Sequence, residues 1–315
     1  AKTVQYCADR IRKQIPGFAI GYNTMGERHN TMAGAFTDVE LAACATGHGM
    51  IMSEVYREFV GDPKVNIGHL QAGGDFVRLH GGYWLAILDQ GSAWNSALVL
   101  AGGARPMGGG MYAKFGTRFS ATMLDPAMRR LQDPSRVVKP AGDPGFFWDS
   151  FIYERDGGAD RGELILQLVN IGKGFAFTGK KSAPVGVNAP RRDVAFDLSL
   201  PQGYRAESVF ACDDTANFLP MKATLDGNRL TVPRVGVWTM VVVGLRKSGT
   251  PESLWKLCGV PVKISGAAAP DADAERSKAG IGTAFGPEEM KQAKKETLVV
   301  TPEVLKAILD KAELP

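Results

Sequence analysis

Gly49-Met50-Ile51-Met52-Ser53-Glu54 is an apolar run that stops on a carboxylate just before a polar loop. Continuous apolar strands suit a parallel sheet buried on both faces. An acid at the carboxyl end of such a strand is how a (β/α) barrel presents a catalytic group. Units of the same kind flank the run. Upstream, Phe18-Ala19-Ile20-Gly21-Tyr22-Asn23 reads as a buried strand emptying into a polar loop, and Thr37 or Asp38 caps a helix through about Ala45. Downstream, residues 70–79 read as a short helix, and Gly81-Gly82 introduces the strand Tyr83-Trp84-Leu85-Ala86-Ile87-Leu88. Ser92 then caps a helix from Ala93 to Leu100 that ends in Gly102-Gly103. Alternating strands and helices with short connections predict parallel strands joined by right-handed crossovers.

The predicted fold class is α/β, a partial (β/α) TIM-type barrel over residues 1–150. Residues 3–15 form a helix with Val4, Cys7, Ala8, Ile11 and Ile15 at helical spacing, closed by Pro16-Gly17. Segment 104–150, rich in Gly, Pro, Met and aromatics, reads as loops and short helices packed under the barrel, Pro126 to Leu131 being one helix. From about 150 the pattern changes to short strands: Leu164–Asn170, Asp193–Leu198, Glu207–Ala211, Arg229–Pro233 and Gly236–Val243. Turn signals such as Pro201-Gln202-Gly203 and Asp226-Gly227-Asn228 separate them. An antiparallel β-sandwich over 151–250 is expected. Residues 251–315 are expected to add a strand at Val260–Ile264, a linker rich in Ala, Pro and Asp, and a helical C-terminal tail. A closed barrel needs eight strands and only three units precede the β-rich region. The chain is therefore expected to be completed by missing N-terminal sequence or by another chain.

Composition narrows the function. With Lys+Arg 37 against Asp+Glu 33 the net charge is +4, and the basic residues are dispersed rather than gathered on one face with aromatics. No nucleic-acid partner is expected on that pattern. No apolar run approaches the roughly 20 residues of a membrane span, so no membrane partner is expected either. The N-terminal residues lack the charged-then-apolar layout of a signal peptide; compartment stays open, a secreted or periplasmic site included. Cys7, Cys44, Cys212 and Cys258 lack CxxC spacing, which argues against zinc ribbons and disulfide frameworks. Cys7 and Cys44 fall in apolar helical stretches, where a buried free thiol is the ordinary reading. No HExxH, GxSxG or clustered His/Cys set is present, so neither a metal nor a cofactor is expected. Gly102-Gly103 and Gly108-Gly109-Gly110 lack the Lys-Ser/Thr of a phosphate-binding loop and read as tight turns.

Glycosidases commonly use two carboxylates, one to protonate the leaving oxygen and one to attack the sugar or activate water. Glu54 is the first catalytic candidate; its alternative is a glutamate ion-paired with Arg57 or Arg28. Among Glu27, Asp38, Glu58, Asp75 and Asp89, Asp89 is best placed for the second role, just past a strand. Asp75 reads as a solvated helix residue and Asp38 as a cap. Tyr22 and Asn23 end the first strand and are candidates for bonding sugar hydroxyls, with loop anchoring as the alternative. His48, with His29, flanks the same region. Trp84 and Trp94 are candidates for a stacking platform, core packing being the competing role for Trp84. Arg105 follows the last helix and borders the presumed cleft.

The strand Gly49–Glu54, the helix Asn95–Ala104 and Phe147-Trp148-Asp149-Ser150-Phe151-Ile152-Tyr153-Glu154 form one succession. With Leu164–Asn170, Leu200-Pro201-Gln202-Gly203-Tyr204 and Trp238–Val242, it resembles the C-terminal half of a barrel glycoside hydrolase with a trailing β-sandwich. The nearest pattern is glycoside hydrolase family 66 (dextranase-like) and related uncharacterised bacterial barrel proteins. The resemblance covers about residues 1–245. It implies that the strands ending at Asn23, Glu54 and Leu88 are barrel strands six, seven and eight. It also implies that Glu54 holds the strand-seven position of a retaining nucleophile, and that the substrate is a poly- or oligosaccharide. A non-catalytic assembly protein on a degenerate barrel, forming homo-oligomers, and a carbohydrate-binding protein relying on the sandwich are the alternatives.

Overall fold

The computed structural model describes residues 2–16, 20–24, 49–53, 60–61, 63–79, 82–87, 93–107, 119, 122, 125, 127–172, 177–178, 189–214 and 218–259. These belong to the first of two units, residues 1–261; the second unit, 262–315, lies outside the described residues, as do the predicted strand at 260–264 and the helical tail. Helix α1 (Lys2–Gln14) opens the chain. Its apolar stripe is only partly covered: Ala8 is fully buried, whereas Ile15 is 54% exposed and Cys7, expected inside, is exposed.

Next come β1 (Ile20–Thr24), β2 (Gly49–Ser53), the two-residue β3 (Val60–Gly61), α2 (Pro63–Leu79), β4 (Tyr83–Ile87), α3 (Ala93–Ala101) and β5 (Arg105–Met107). Strands β1, β2, β4 and β5 form one parallel sheet in chain order, with no reversal. Helix α2 starts at Pro63 rather than at the predicted 70, because proline suits the first helical turn, where its missing N–H has no partner to lose. Both described connecting helices lie on one face of the sheet. Trp84 and Ala86 of β4 share a core with Ile67, Leu70 and Val77 of α2 and with Leu98 and Leu100 of α3. Tyr83, one residue off that phase, is 49% exposed. A sheet wound in one direction puts its crossovers on one side, whereas a doubly wound sheet covers both. Among the described residues these four strands form an open sheet, and no closed barrel is seen.

Arg105–Met107 was expected as loop and is instead the fourth parallel strand, bonded to the far side of β4. That strand revises the count of three units. If β5 is the last of the series, β4 is the one before it and cannot be number eight.

The remaining strands are antiparallel: β6 (Met128–Arg130), β7 (Val138–Pro140), β8 (Ile152–Asp156), β9 (Arg161–Val169), β10 (Phe177–Thr178), β11 (Arg191–Leu198), β12 (Tyr204–Asp213), β13 (Pro220–Met221), β14 (Thr224–Asp226), β15 (Arg229–Val235) and β16 (Trp238–Lys247), followed by a one-turn helix α4 (Leu254–Leu257). A six-stranded sheet runs β13-β12-β16-β9-β8-β6, a four-stranded one runs β14-β15-β11-β7, and β10 pairs with β3. Residues 128–130, expected as helix, form an edge strand against Tyr153–Arg155. Ala, Met, Arg and Leu are good helix formers, but cross-strand pairing overrides so weak a local preference.

Alternation along β9 explains its long apolar run. Leu164, Leu166 and Leu168 join Val194 and Phe196 of β11 and Leu230 and Val232 of β15 in a core between the two antiparallel sheets. Ile165 and Val169 point the other way, into the core with α3. Helix α3 is therefore apolar on nearly all sides, with Trp94 and Ser96 to Ala101 all buried. It ends in a Schellman turn: Ala104 N–H donates to Val99 O (2.9 Å), Gly103 N–H donates to Leu100 O (2.9 Å), and Gly103 takes φ +89°.

Candidate functional site

The register of the parallel sheet decides which sequence candidates share a level. Asn23 pairs with Met52, Met52 with Leu85, and Leu85 with Arg105, so Asn23 and Arg105 stand in one row across all four strands. Leu85 and Met52 are half-buried and Arg105 is exposed, on the phase opposite the helix-packed Trp84 and Ala86. The next row, Thr24–Ser53–Ala86–Pro106, is where β1 and β2 end. Glu54 follows Ser53 in the chain and Asp89 comes two residues after Ile87; both lie outside the described residues. His48, which precedes Gly49 at the opening of β2, also lies outside them.

Tyr22 occupies the row of Ile51 and Trp84. Successive rows alternate between sheet faces, so this row and that of Asn23 belong to opposite sides. Trp84 is 3% exposed within the apolar core, the packing role that competed with a stacking platform. Trp94 is 5% exposed in the same core.

Several polar groups invisible to sequence reasoning prove to be ties between elements. Asp75 is half-buried rather than freely solvated: its carboxylate takes Arg130 Nη2 at 2.6 Å, Arg130 Nε at 3.0 Å and Gln132 Nε2 at 3.1 Å, joining α2 to β6. The buried Glu154 accepts the backbone N–H groups of Leu254 (3.1 Å) and Trp255 (2.9 Å), so it caps α4 from β8. It also accepts the Tyr204 hydroxyl at 3.3 Å. Burial first, and then Glu154, push the Tyr204 phenol well above its ordinary value. Arg78, 7% exposed, lays its guanidinium 4.6 Å from the Tyr153 ring centroid, while the Tyr153 hydroxyl donates to Ala101 O at 2.5 Å. Burial raises the Tyr153 phenol and Arg78 opposes it. These contacts carry structure: none leaves a nucleophile facing a cleft.

Among the described residues, no group of three or more His, Cys, Asp or Glu is placed to hold a metal ion. Among the same residues no helix is long and apolar enough to cross a membrane. Cys7, Cys212 and Cys258 form no disulfide, and burial pushes the Cys258 thiol up to about 11.

No protein-family model matches the chain. No curated protein matches it either. Among solved structures it is similar to a cycloisomaltooligosaccharide glucanotransferase of Paenibacillus sp., complexed with cycloisomaltoheptaose, at 14% identity and a TM-score of 0.36. That alignment covers 50% of this chain and 27% of that chain, so the chain spans about a quarter of the structure it matches.

Proposed function

We propose that this chain is a carbohydrate-active hydrolase of poly- or oligosaccharides, its parallel sheet being part of a (β/α) barrel. Glu54 and Asp89 are the reacting carboxylates, and Asn23 and Arg105, which share one row, are the sugar-contacting pair; His48 precedes the amino end of β2 and Tyr22 lies in the row of the helix-packed Trp84, so neither belongs to that set. The observation that carries this reading is the winding: four parallel strands in chain order, with both described crossover helices on one face. In that architecture chemistry sits at the carboxyl ends of the strands. The two acids follow two neighbouring strands, β2 and β4, in the chain.

The fourth strand alters how the two acids are weighed. With β5 as the last strand, the strand-seven position implied by the family resemblance falls on β4, and the acid that follows β4 is Asp89. Nucleophile and acid/base roles are therefore assigned to the pair, Glu54 and Asp89, rather than to Glu54 alone. Protonating the leaving oxygen and attacking the sugar require one carboxyl of each state. Turnover of a glycan panel is expected to fall by roughly 10²–10⁴-fold in both Glu54→Gln and Asp89→Asn. Turnover equal to the parent in either variant removes that residue from the mechanism.

A second reading is a non-catalytic assembly protein. It is favoured by Tyr83, 49% exposed on the sheet face away from α2 and α3, since an uncovered apolar face invites association. No turnover by the parent protein, together with self-association, is its expected signature.

A further inference from the structure

The six-stranded sheet carries a groove of about 470 Å³, none of whose lining residues belongs to the parallel sheet. Its floor is one row of the sheet: Ser208 of β12 pairs with Gly244 of β16, which pairs with Glu163 of β9, which pairs with Arg155 of β8. By alternation this row lies on the same face as Trp238 and Met240, the face that α3 covers further along. Beyond the helix the face turns polar. A side chain on Gly244 would overlap Ser208 Oγ, so the two small residues hold the floor low. Glycine inside a strand often marks a close approach by a ligand.

Two of the lining carboxylates, Glu163 in this row and Glu207 beside Ser208, are held by arginines. Arg155 reaches Glu163 through Nε (2.7 Å) and Nη2 (2.5 Å), and both contacts end on Oε2. A register shift between Ala206 and Ser208 marks a bulge at Glu207, where Arg205 (2.8 Å) and Arg246 (3.0 Å) both end on Oε1. Each carboxylate thus concentrates its cations on one oxygen and keeps acceptor capacity on the other. The Arg246 and Arg205 hydrogen bonds also hold the Glu207 carboxyl below its usual value. An anionic ligand would meet the four carboxylates of the lining, Asp125, Asp156, Glu163 and Glu207, and a cation would meet Arg155 and Arg161; among the described residues no three of the acids are placed to hold a metal ion. A neutral ligand rich in hydroxyls meets neither barrier: it donates to the open carboxylate oxygens and accepts from guanidinium N–H groups. The volume lies within the range of small-ligand sites, about 300–1,000 Å³.

We propose that this groove is a second, non-catalytic carbohydrate-binding site, in which the open oxygens of Glu163 and Glu207 take sugar hydroxyls over the Ser208–Gly244 floor. It rests on the proposed function only for the class of ligand. The test is affinity electrophoresis of the full chain in gels holding soluble starch, dextran or xylan, with hydrolysis assayed in parallel. Ser208→Trp fills the groove from an exposed position, and Glu207→Gln and Glu163→Gln keep its shape while removing charge. The parent is expected to be retarded by at least one glycan. Ser208→Trp should weaken that retention by about tenfold or more, a difference of one decade in Kd. Each Gln variant should weaken it several-fold, and Glu54→Gln should be retarded like the parent. Retention unchanged in both Ser208→Trp and Glu207→Gln, or absent in the parent, overturns the site. Loss of retention in Glu54→Gln alone would place binding at the strand-end rim and also overturn it. Retention sensitive to Ser208→Trp in a chain that hydrolyses nothing leaves the groove standing while the hydrolase reading falls.

Discussion

Asp214 shows how a single carboxylate can be held against its own preference. Its Oδ1 accepts Val237 N–H at 3.1 Å and Trp238 N–H at 3.3 Å, pinning the turn where the chain passes from β15 to β16. Burial nonetheless pushes its carboxyl above the ordinary value, with neighbouring Asp213 adding to the rise and the two backbone donors opposing it. An acid whose folded value is raised binds more protons folded than unfolded. Stability is therefore fully present below the unfolded value of about 3.9 and is lost as pH rises through the folded one. Asp214→Asn keeps an oxygen acceptor for both N–H groups and removes the charge. Melting temperatures at pH 4 and pH 7 should show the variant gaining on the parent at pH 7 and little difference at pH 4; the opposite ordering would mean that the charged form is the favoured one. Nothing in the sequence around Asp214 announces this role. The same holds for Glu154, whose partner Trp255 is 101 residues away, and for Asp75, whose partner Arg130 is 55 away. Local pattern carries helix caps and strand ends. It does not carry a hydrogen bond whose second partner is fixed only by the fold.

Elements were readable in proportion to their length and periodicity. The strand now seen at Arg161–Val169 was visible because both of its faces are buried, which leaves five apolar residues, Leu164 to Leu166 with Leu168 and Val169, broken only by Gln167. The turn before β15 was visible because Gly227, at φ +56°, supplies the conformation that a two-residue turn requires, while the three-residue β14 that it joins to β15 was not. The three-residue strands Arg105–Met107, Met128–Arg130 and Val138–Pro140 are too short to show any period, and each reads as strand only once its neighbour is in place. Helix crossings were equally hidden. Helix α2 meets α3 at Gly74, where an added Cβ would overlap the backbone oxygen of Gly102. On its own, alanine in a helix interior is favoured over glycine by roughly 0.5–1 kcal/mol. Against a carbonyl that cannot step aside, overpacking costs about 1–3 kcal/mol and wins. Gly74→Ala should accordingly lower the melting temperature by several degrees, at about 2–4 °C per kcal/mol for a body of this size. A variant at least as stable as the parent would show that the helices are free to part.

Helix α3 belongs to two layers at once, and that fixes how the first unit holds together. Its residues Leu98 and Leu100 share a core with Trp84 and Ala86 of the parallel sheet on one side and with Ile165, Trp238 and Met240 of the six-stranded sheet on the other. Tyr153 of β8 donates its hydroxyl to Ala101 O at the end of the same helix, and Arg130 of β6 reaches Asp75 on α2. The strand-end rim assigned to hydrolysis and the groove assigned to sugar binding are thus built on sheets that lean on a common helix. Sheets sharing so continuous an apolar core are expected to unfold as one cooperative body rather than as separate domains. Leu98, fully buried, tests this directly: Leu98→Ala should cost about 2–5 kcal/mol through lost contacts and the cavity left behind. Native-state hydrogen exchange reads the consequence strand by strand. Amides of β4 and α3 and amides of β9 and β16 should exchange with a common free energy in the parent, and the substitution should lower both sets by the same amount. If the β9 and β16 amides kept their protection while those of β4 and α3 lost theirs, the antiparallel sheets would be independently stable. The α/β layer would then be an addition to them, and the two proposed sugar sites would sit on separately folding parts.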